Sequence, residues 1–234
     1  MGLLDPPVYS RTQSDARFLV HSRPRGVIPG PVIASRSLMG MDFQTDAGMF
    51  TRVRTTVLYS ATDLRIVYGN HIIGTGDQFP TNSIKVKASV ETPAGTYFPV
   101  WFPGSDDDGY VSIQPGCFAV SSPLPIEVSA GDLLYVNTNV APNAAGGSYP
   151  VASTCSLGGT PWEYRIPNTT TDYTTALPPD GDNTTGVFYT PHCVTGLPTG
   201  LPYGARPPQV FIWGDSIMHG SGDSSNNNTG IPPF

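Results

Sequence analysis

Alternating apolar and polar residues mark the middle of the chain and predict antiparallel β-strands. In Ile84–Glu91 every second residue, from Ile84 to Val90, is apolar, and the residues between them are polar or charged. Because strand side chains point alternately to opposite faces, this pattern buries one face and leaves the other toward solvent. Further strands are predicted at 53–59, 64–68, 96–102, 110–113, 124–128 and 133–140, with a candidate late strand at 187–190.

Turn-forming residues separate these short strands. Gly (26 residues) and Pro (25 residues) make up about a fifth of the chain, which suits many tight connections. No segment in this region has the apolar period of an amphipathic helix. The sequence therefore predicts a mostly β protein whose main domain, at 51–205, is an antiparallel β-sandwich or jelly roll.

The flanking regions carry weaker patterns. Prolines interrupt residues 1–50, which we interpret as an extended N-terminal arm with one strand at 17–20. Such an arm could lie across the domain or dock onto another subunit of a homo-oligomer or a virion or surface assembly. Residues 141–186, rich in Asn, Gly, Thr, Ser and Pro, predict long surface loops, and 194–208 predict a linker. A domain boundary is expected near Ala205.

Charge and hydropathy limit the partners. The net charge is −6 and the 12 Lys and Arg residues are scattered, which argues against nucleic acid as a ligand. No run approaches the roughly 20 apolar residues of a membrane span, so none is predicted. The N-terminus lacks the basic and apolar regions of a secretory signal. We therefore expect an extracellular protein whose secretory signal is not in this sequence, or a virion component that is released when the cell lyses.

The three cysteines, Cys117, Cys155 and Cys193, are too widely spaced for a close-paired metal signature. One disulfide with a free thiol and three buried thiols are both compatible with this spacing, and the second is favoured because free cysteines often pack as small apolar side chains. Neither a metal nor another cofactor is predicted.

A different pattern begins after the predicted linker. The apolar run at 210–213 has no alternation, which is typical of a strand buried on both faces in a parallel sheet. It leads directly into Gly214, Asp215 and Ser216, which would place the serine hydroxyl at the tip of a strand. An ordinary turn after an edge strand is the alternative, since all three residue types favour turns.

Residues 210–223 resemble the first sequence block of the SGNH (GDSL) serine hydrolases. Residues 63–70, 84–97 and 129–132 are similar to the β-rich N-terminal domain that precedes this block in certain bacterial and phage-encoded members. The resemblance covers roughly residues 50–223. It implies that 206–234 begin a flavodoxin-like α/β domain, which is incomplete within this sequence.

What the resemblance implies is hydrolysis of an ester, often an acetyl group on a carbohydrate. Ser216 would be the nucleophile and supply an oxyanion N–H, with Gly214 and Asp215 shaping the turn. The family's later blocks, which hold a Gly, an Asn and an Asp-x-x-His pair, do not occur in these 234 residues. Without a histidine base the hydroxyl is a poor nucleophile, so the chain alone is expected to be inactive.

The remaining candidate groups are each expected to be structural. His219 is too close in sequence to Ser216 to act as its base, and His21, His71 and His192 are expected to be solvated or satisfied in the core. None is assigned a catalytic role. The turn at 106–108 carries three aspartates but lacks the spacing of a calcium loop, so a solvated turn is favoured.

Four aromatic residues raise a second hypothesis, in which the β-domain binds glycan. Trp101, Trp162, Tyr164 and Tyr173 could form a platform for sugars, although packing in the core or the loops is favoured. The chain would then be a structural or attachment protein of a virion or cell surface. The two hypotheses are compatible if such a protein also carries an esterase.

Overall fold

The computed structural model describes residues 30–34, 40–74, 76–78, 80–152, 155–156, 163–176 and 185–200. Within these ranges the chain contains β-strands and no helix, and every strand pairing is antiparallel. The prediction of a mostly β, antiparallel protein is confirmed. No helix in this described part could cross a membrane.

The described strands are, in chain order, β1 (Val32–Ala34), β2 (Gly40–Gln44), β3 (Met49–Thr56), β4 (Ala61–Gly69), β5 (Ile72–Gly74), β6 (Gly76–Gln78), β7 (Ile84–Glu91), β8 (Tyr97–Val100), β9 (Val111–Ile113), β10 (Phe118–Val120), β11 (Leu133–Pro142), β12 (Tyr149–Ala152), β13 (Cys155–Ser156), β14 (Tyr164–Pro167), β15 (Thr185–Gly186) and β16 (Cys193–Pro198).

Two sheets organise these strands. The large sheet has the order β14-β3-β11-β7-β8, and β9 also pairs with β7. The small sheet has the order β1-β16-β4-β10. Three two-stranded ribbons, β2 with β12, β5 with β6 and β13 with β15, complete the described part. Sequence-distant strands are neighbours in both sheets, so the fold depends on long-range pairing.

The two sheets share one hydrophobic core. Small-sheet residues such as Ile66 and Val194 belong to the same buried cluster as large-sheet residues such as Val86 and Leu134. One polar contact joins the sheets inside this cluster, where the Tyr68 hydroxyl lies 2.6 Å from Thr138 Oγ1. Burial raises the pKa of Tyr68 well above its ordinary value, so this phenol stays neutral and hydrogen-bonded in the core.

Most predicted strands correspond to observed ones. The strand at Ile84–Glu91 has the predicted bounds, and 64–68 and 133–140 lie inside β4 and β11. The strands at 53–59, 96–102 and 110–113 correspond to β3, β8 and β9 with shifted ends.

Two predicted strands are wrong. At 124–128 only isolated bridges form, from Leu124 to Leu64 and from Val128 to Ala61. Pro123 and Pro125 lack N–H donors, which explains why no continuous ladder forms there. At 187–190 the chain runs between β15 and β16 without strand pairing.

Strands also occur in the ranges interpreted as arm, loops and linker. β1 and β2 lie within 1–50, β12 to β15 lie within 141–186, and most of β16 lies within 194–208. Prolines in these segments tend to sit where they remove no central ladder bond, as Pro198 does at the end of β16. The strand predicted at 17–20 and the boundary near Ala205 lie outside the described residues.

Candidate binding surface and histidine pair

The predicted nucleophile segment lies outside the described residues. This applies to Gly214, Asp215 and Ser216, and also to His21 and His219. The candidate chemistry of the described β-domain therefore resides elsewhere. It consists of the outer face of the large sheet, which points away from the shared core, and of a histidine pair beside the small sheet.

A buried ion pair lies at the centre of the outer face. Arg52 on β3 donates from Nε and Nη2 to the two carboxylate oxygens of Glu91 on β7, each at 2.9 Å. The Tyr135 ring lies 3.8 Å from the guanidinium carbon, and Asn137 Nδ2 donates to Glu91 Oε2 at 3.3 Å. This two-point pairing compensates both charges where water is excluded.

The segment at 168–176 covers part of this face. Asn139 Nδ2 donates to the Thr171 carbonyl at 2.8 Å, and the Ser89 hydroxyl donates to the Thr174 carbonyl. Lys87 Nζ lies 2.6 Å from Asp172 Oδ2. Backbone carbonyls of an irregular segment thus replace water as partners for polar side chains of the sheet. The cover ends at Lys87, beside the open edge of the sheet.

Beyond the cover, β8 and the residue that follows it present a row of side chains that we call the Trp101 surface. Tyr97, Pro99 and Trp101 alternate with Phe98 and Val100, and the latter two pack on the core. Trp101 is 55% exposed, although it is one of the largest apolar side chains. At about 3.3 Å per residue, the row from Tyr97 to Trp101 spans about 13 Å. Pro99 cannot donate to a further strand, which protects this edge of the sheet from pairing.

Lys87 and Tyr110 flank the exposed indole. β8 runs beside one half of β7 and β9 beside the other, so the chain leaves and re-enters the edge next to Lys87. Lys87 Nζ lies 5.5 Å from the centroid of the Tyr110 ring. Gly109 has a φ of +85°, and a methyl group placed on it would lie 3.6 Å from Trp101 Cζ3. The positive φ favours glycine here, and the 3.6 Å distance, an ordinary van der Waals contact, shows that the 106–109 turn lies next to the indole.

The acidic turn at 106–109 is fixed by its own hydrogen bonds. Asp106 Oδ1 accepts from the Tyr110 N–H at 2.7 Å, and its carbonyl accepts from the Gly109 N–H at 2.9 Å. Asp107 and Asp108 are exposed at the tip. Among the described residues no three His, Cys, Asp or Glu side chains are grouped as metal ligands. The turn instead presents the exposed carboxylates of Asp107 and Asp108, and its Gly109 lies next to Trp101.

The Lys87–Asp172 pair keeps its charges at the rim of this surface. Burial alone would raise the pKa of Asp172, but hydrogen bonds from Lys87 and Thr174 outweigh it and lower that pKa. The carboxylate is therefore ionised throughout the neutral and mildly acidic range. Both side chains are partly exposed, so a bound molecule could reach them.

The four candidate platform aromatics do not form one surface. Tyr164 and Tyr173 pack against Phe50, with ring centroids 6.0 and 5.5 Å away, which confirms the packing interpretation for these two. That interpretation is wrong for Trp101, which is exposed because β8 is an edge strand. Trp162 lies outside the described residues. One sequence pattern could have identified this surface: Tyr97, Pro99 and Trp101 are every second residue, so their side chains share one face of the strand.

The second cluster pairs His71 with His192, which neighbour the small sheet. Their rings stack at 4.8 Å with 7° between the planes, and Phe118 meets both edge-on. Burial and the nearby His71 lower the pKa of His192 to about 4. A methyl group on Gly69 would lie 2.5 Å from His192 Nε2, so only glycine permits this approach. Contacts with aromatic neighbours thus hold both rings in place.

Two small pockets lie among the described residues. One is bordered by the histidine pair and β12, the other by Ala34, Val53 and Cys193, and each has room for about one water molecule. Cys117 and Cys193 are free thiols, and burial raises the pKa of Cys193 to about 11. This thiol is protonated at neutral pH and is a weak nucleophile.

Comparison with known proteins does not identify a family for this chain. No protein-family model matches the chain, and no curated protein matches it. The functional argument therefore depends on the residues themselves.

Proposed function

We propose that this chain is a carbohydrate-binding β-domain joined to the nucleophile strand of an SGNH-type serine hydrolase that acts on carbohydrate O-acyl esters. The Trp101 surface carries the binding part of the proposal, because an exposed indole stands beside polar groups on a rigid sheet edge. The family resemblance of 210–223 alone supports the hydrolase part. A jelly-roll topology and an extracellular or virion-associated location belong to the same proposal.

The chemistry of a sugar matches this surface. A pyranose has an apolar C–H face that can stack on an indole, and hydroxyl groups around its rim that need hydrogen-bond partners. Trp101 offers the first, and Lys87, Asp172 and the tip of the 106–109 turn offer the second. A large protein partner fits less well, because the apolar area here is one narrow row rather than a broad patch.

A nucleobase could also stack on an aromatic ring, but the charge opposes it. Nucleic acid brings phosphates, and proteins that bind it supply clustered Lys and Arg. Here the turn next to the indole carries Asp106, Asp107 and Asp108. Carbohydrate is therefore the ligand class that agrees with both the aromatic row and its acidic border.

Binding to soluble oligosaccharides, measured by calorimetry, tests the proposed domain function. We expect Trp101→Ala to weaken binding by at least about tenfold, equivalent to about 1.4 kcal/mol. Trp101→Phe should retain part of the affinity because a smaller ring remains. Leu58→Ala is the matched control, since Leu58 is 59% exposed but lies on another loop. Binding that is equal in all four proteins would overturn the proposal.

The hydrolase part has its own test. These 234 residues contain no Asp-x-x-His pair, so we expect no turnover of p-nitrophenyl acetate above that of Ser216→Ala. The coding region after Phe234 should encode Asp-x-x-His and the later Gly and Asn blocks. A stop codon directly after Phe234 would exclude this part and favour a structural or attachment protein that uses the same Trp101 surface.

A further inference from the structure

We propose that the Trp101 surface binds neutral oligosaccharides and discriminates against acidic sugars. The inference rests on the proposed carbohydrate-binding function and adds the class of sugar. It follows from the charges around the indole, where negative groups outnumber positive ones.

Carboxylates outnumber ammonium groups at this surface. Asp106, Asp107 and Asp108 belong to the turn whose Gly109 lies next to Trp101, and Asp172 comes from the covering segment. Lys87 is the nearest cation, and Lys85 follows it on the same face of β7. Four negative groups thus face two positive ones. A ligand with its own carboxylate would add to an already negative border.

The nearest cation is also committed to another partner. Lys87 Nζ is 2.6 Å from Asp172 Oδ2 and lies near the Tyr110 ring. An acidic sugar that paired with Lys87 would share this ammonium group with Asp172, whose charge already compensates it. A neutral sugar needs no cation, because its hydroxyl groups can donate to the carboxylates already present.

The exposed aspartates favour donors over acceptors. Asp106 accepts a hydrogen bond from the Tyr110 N–H, whereas Asp107 and Asp108 are exposed at the tip of the turn. Ionised carboxylates accept hydrogen bonds and cannot donate them. Sugar hydroxyls supply donors, while a sugar carboxylate supplies only further acceptors and a repelling charge.

The test uses pairs of oligosaccharides that differ only in charge. Suitable pairs are cellohexaose with its C6-oxidised form, and methyl-esterified with free oligogalacturonate. The full chain is titrated with each member at about 0.01 M salt, where charges act over about 30 Å, and at about 1 M salt, where they act over about 3 Å. Asp107→Asn/Asp108→Asn, Trp101→Ala and Leu58→Ala are titrated alongside.

We expect the neutral member to bind at least about fivefold more tightly at low salt, through Trp101, since net like charge repels across such distances. The difference should shrink at high salt and in the Asp107→Asn/Asp108→Asn variant. Equal or tighter Trp101-dependent binding of the acidic member would overturn this inference and leave the proposed function intact. A preference that survives both salt and the double substitution would also overturn it. Absence of Trp101-dependent binding to every oligosaccharide would overturn the proposed function as well.

Discussion

Arg52 and Glu91 carry opposite charges inside the outer face of the large sheet. Both residues are buried, and their two hydrogen bonds leave each charge compensated. Bringing charged groups out of water costs several kcal/mol each, and the attraction between them offsets that cost only while both are present. The pair therefore adds little net stability, although losing either member would leave a buried charge without its partner.

Removing one member of this pair should destabilise the fold strongly. We expect Arg52→Met to lower the free energy of unfolding by about 3–5 kcal/mol, because Glu91 is left buried without its cation. Urea denaturation of the full chain measures this change. Arg52→Met/Glu91→Leu should recover most of the loss, and a double variant as unstable as the sum of the single variants would contradict the account.

His192 makes the stability of the domain sensitive to acid. Its pKa is about 4 in the folded chain and 6.5 as its ordinary value. Between these two pH values the unfolded chain binds more protons than the folded chain does. The contribution of neutral His192 to the free energy of unfolding is therefore complete above pH about 6.5 and decreases as the pH falls toward 4. A difference of one unit in pKa corresponds to about 1.4 kcal/mol, so the free energy of unfolding should fall by about 3 kcal/mol in total.

The measurement compares urea unfolding of the natural chain and of His192→Phe from pH 7 to pH 4. Phenylalanine can still stack on His71 but cannot take a proton. The free energy of unfolding of this variant should therefore fall by about 3 kcal/mol less than that of the natural chain over this pH range. Carboxylates that titrate near pH 4 affect both proteins alike. Parallel curves would show that His192 has an ordinary pKa.

At the scale of elements, the alternation of residues predicts strands with one buried face. β7 shows this directly, since its core face is apolar and its other face polar. Pairing that comes from distant parts of the chain is not visible in such a pattern. β16 is a central strand of the small sheet because β1 and β4 lie on its two sides, yet its composition resembles that of a linker.

The outer face of the large sheet also depends on contacts between distant parts of the chain, which a sequence pattern does not show. Trp101 can be recognised as a candidate from sequence, but its neighbours Lys87 and Asp172 are separated by many residues and meet only because the 168–176 segment crosses the sheet. The polar residues on that face look solvent-exposed in sequence. Arg52 and Glu91 are buried instead, and Tyr164 of β14 lies opposite Arg52 in the ladder with β3.

The position of β16 gives a prediction at this scale. A chain shortened after Thr190 lacks β16, which leaves the edges of β1 and β4 unpaired and removes Val194 from the core. We expect it not to unfold cooperatively, because both edges and the core lose their partners at once. A chain shortened after Gly200 keeps β16 and should unfold cooperatively. Circular dichroism during urea denaturation compares the two, and cooperative unfolding of the shorter chain would refute the role given to β16.

At the scale of the whole molecule, the two proposed activities reside in different parts of the chain. The Trp101 surface belongs to the described β-domain, and Ser216 belongs to the segment that resembles a hydrolase. A binding domain raises the local concentration of a neighbouring enzyme at a polymeric substrate without changing the chemistry at the ester. This arrangement predicts that binding and hydrolysis can be separated by substitution.

In a protein that supplies the Asp-x-x-His pair, Ser216→Ala should abolish hydrolysis of both small and polymeric acetyl esters while leaving oligosaccharide binding unchanged. Trp101→Ala should leave turnover of p-nitrophenyl acetate within about twofold and lower kcat/KM on an acetylated polysaccharide by about tenfold, because only the polymer engages the surface. Initial rates on both substrates measure the split, with Leu58→Ala as the control. If Trp101→Ala lowered both rates equally, the indole would act on the catalytic part itself and the two functions would not be independent.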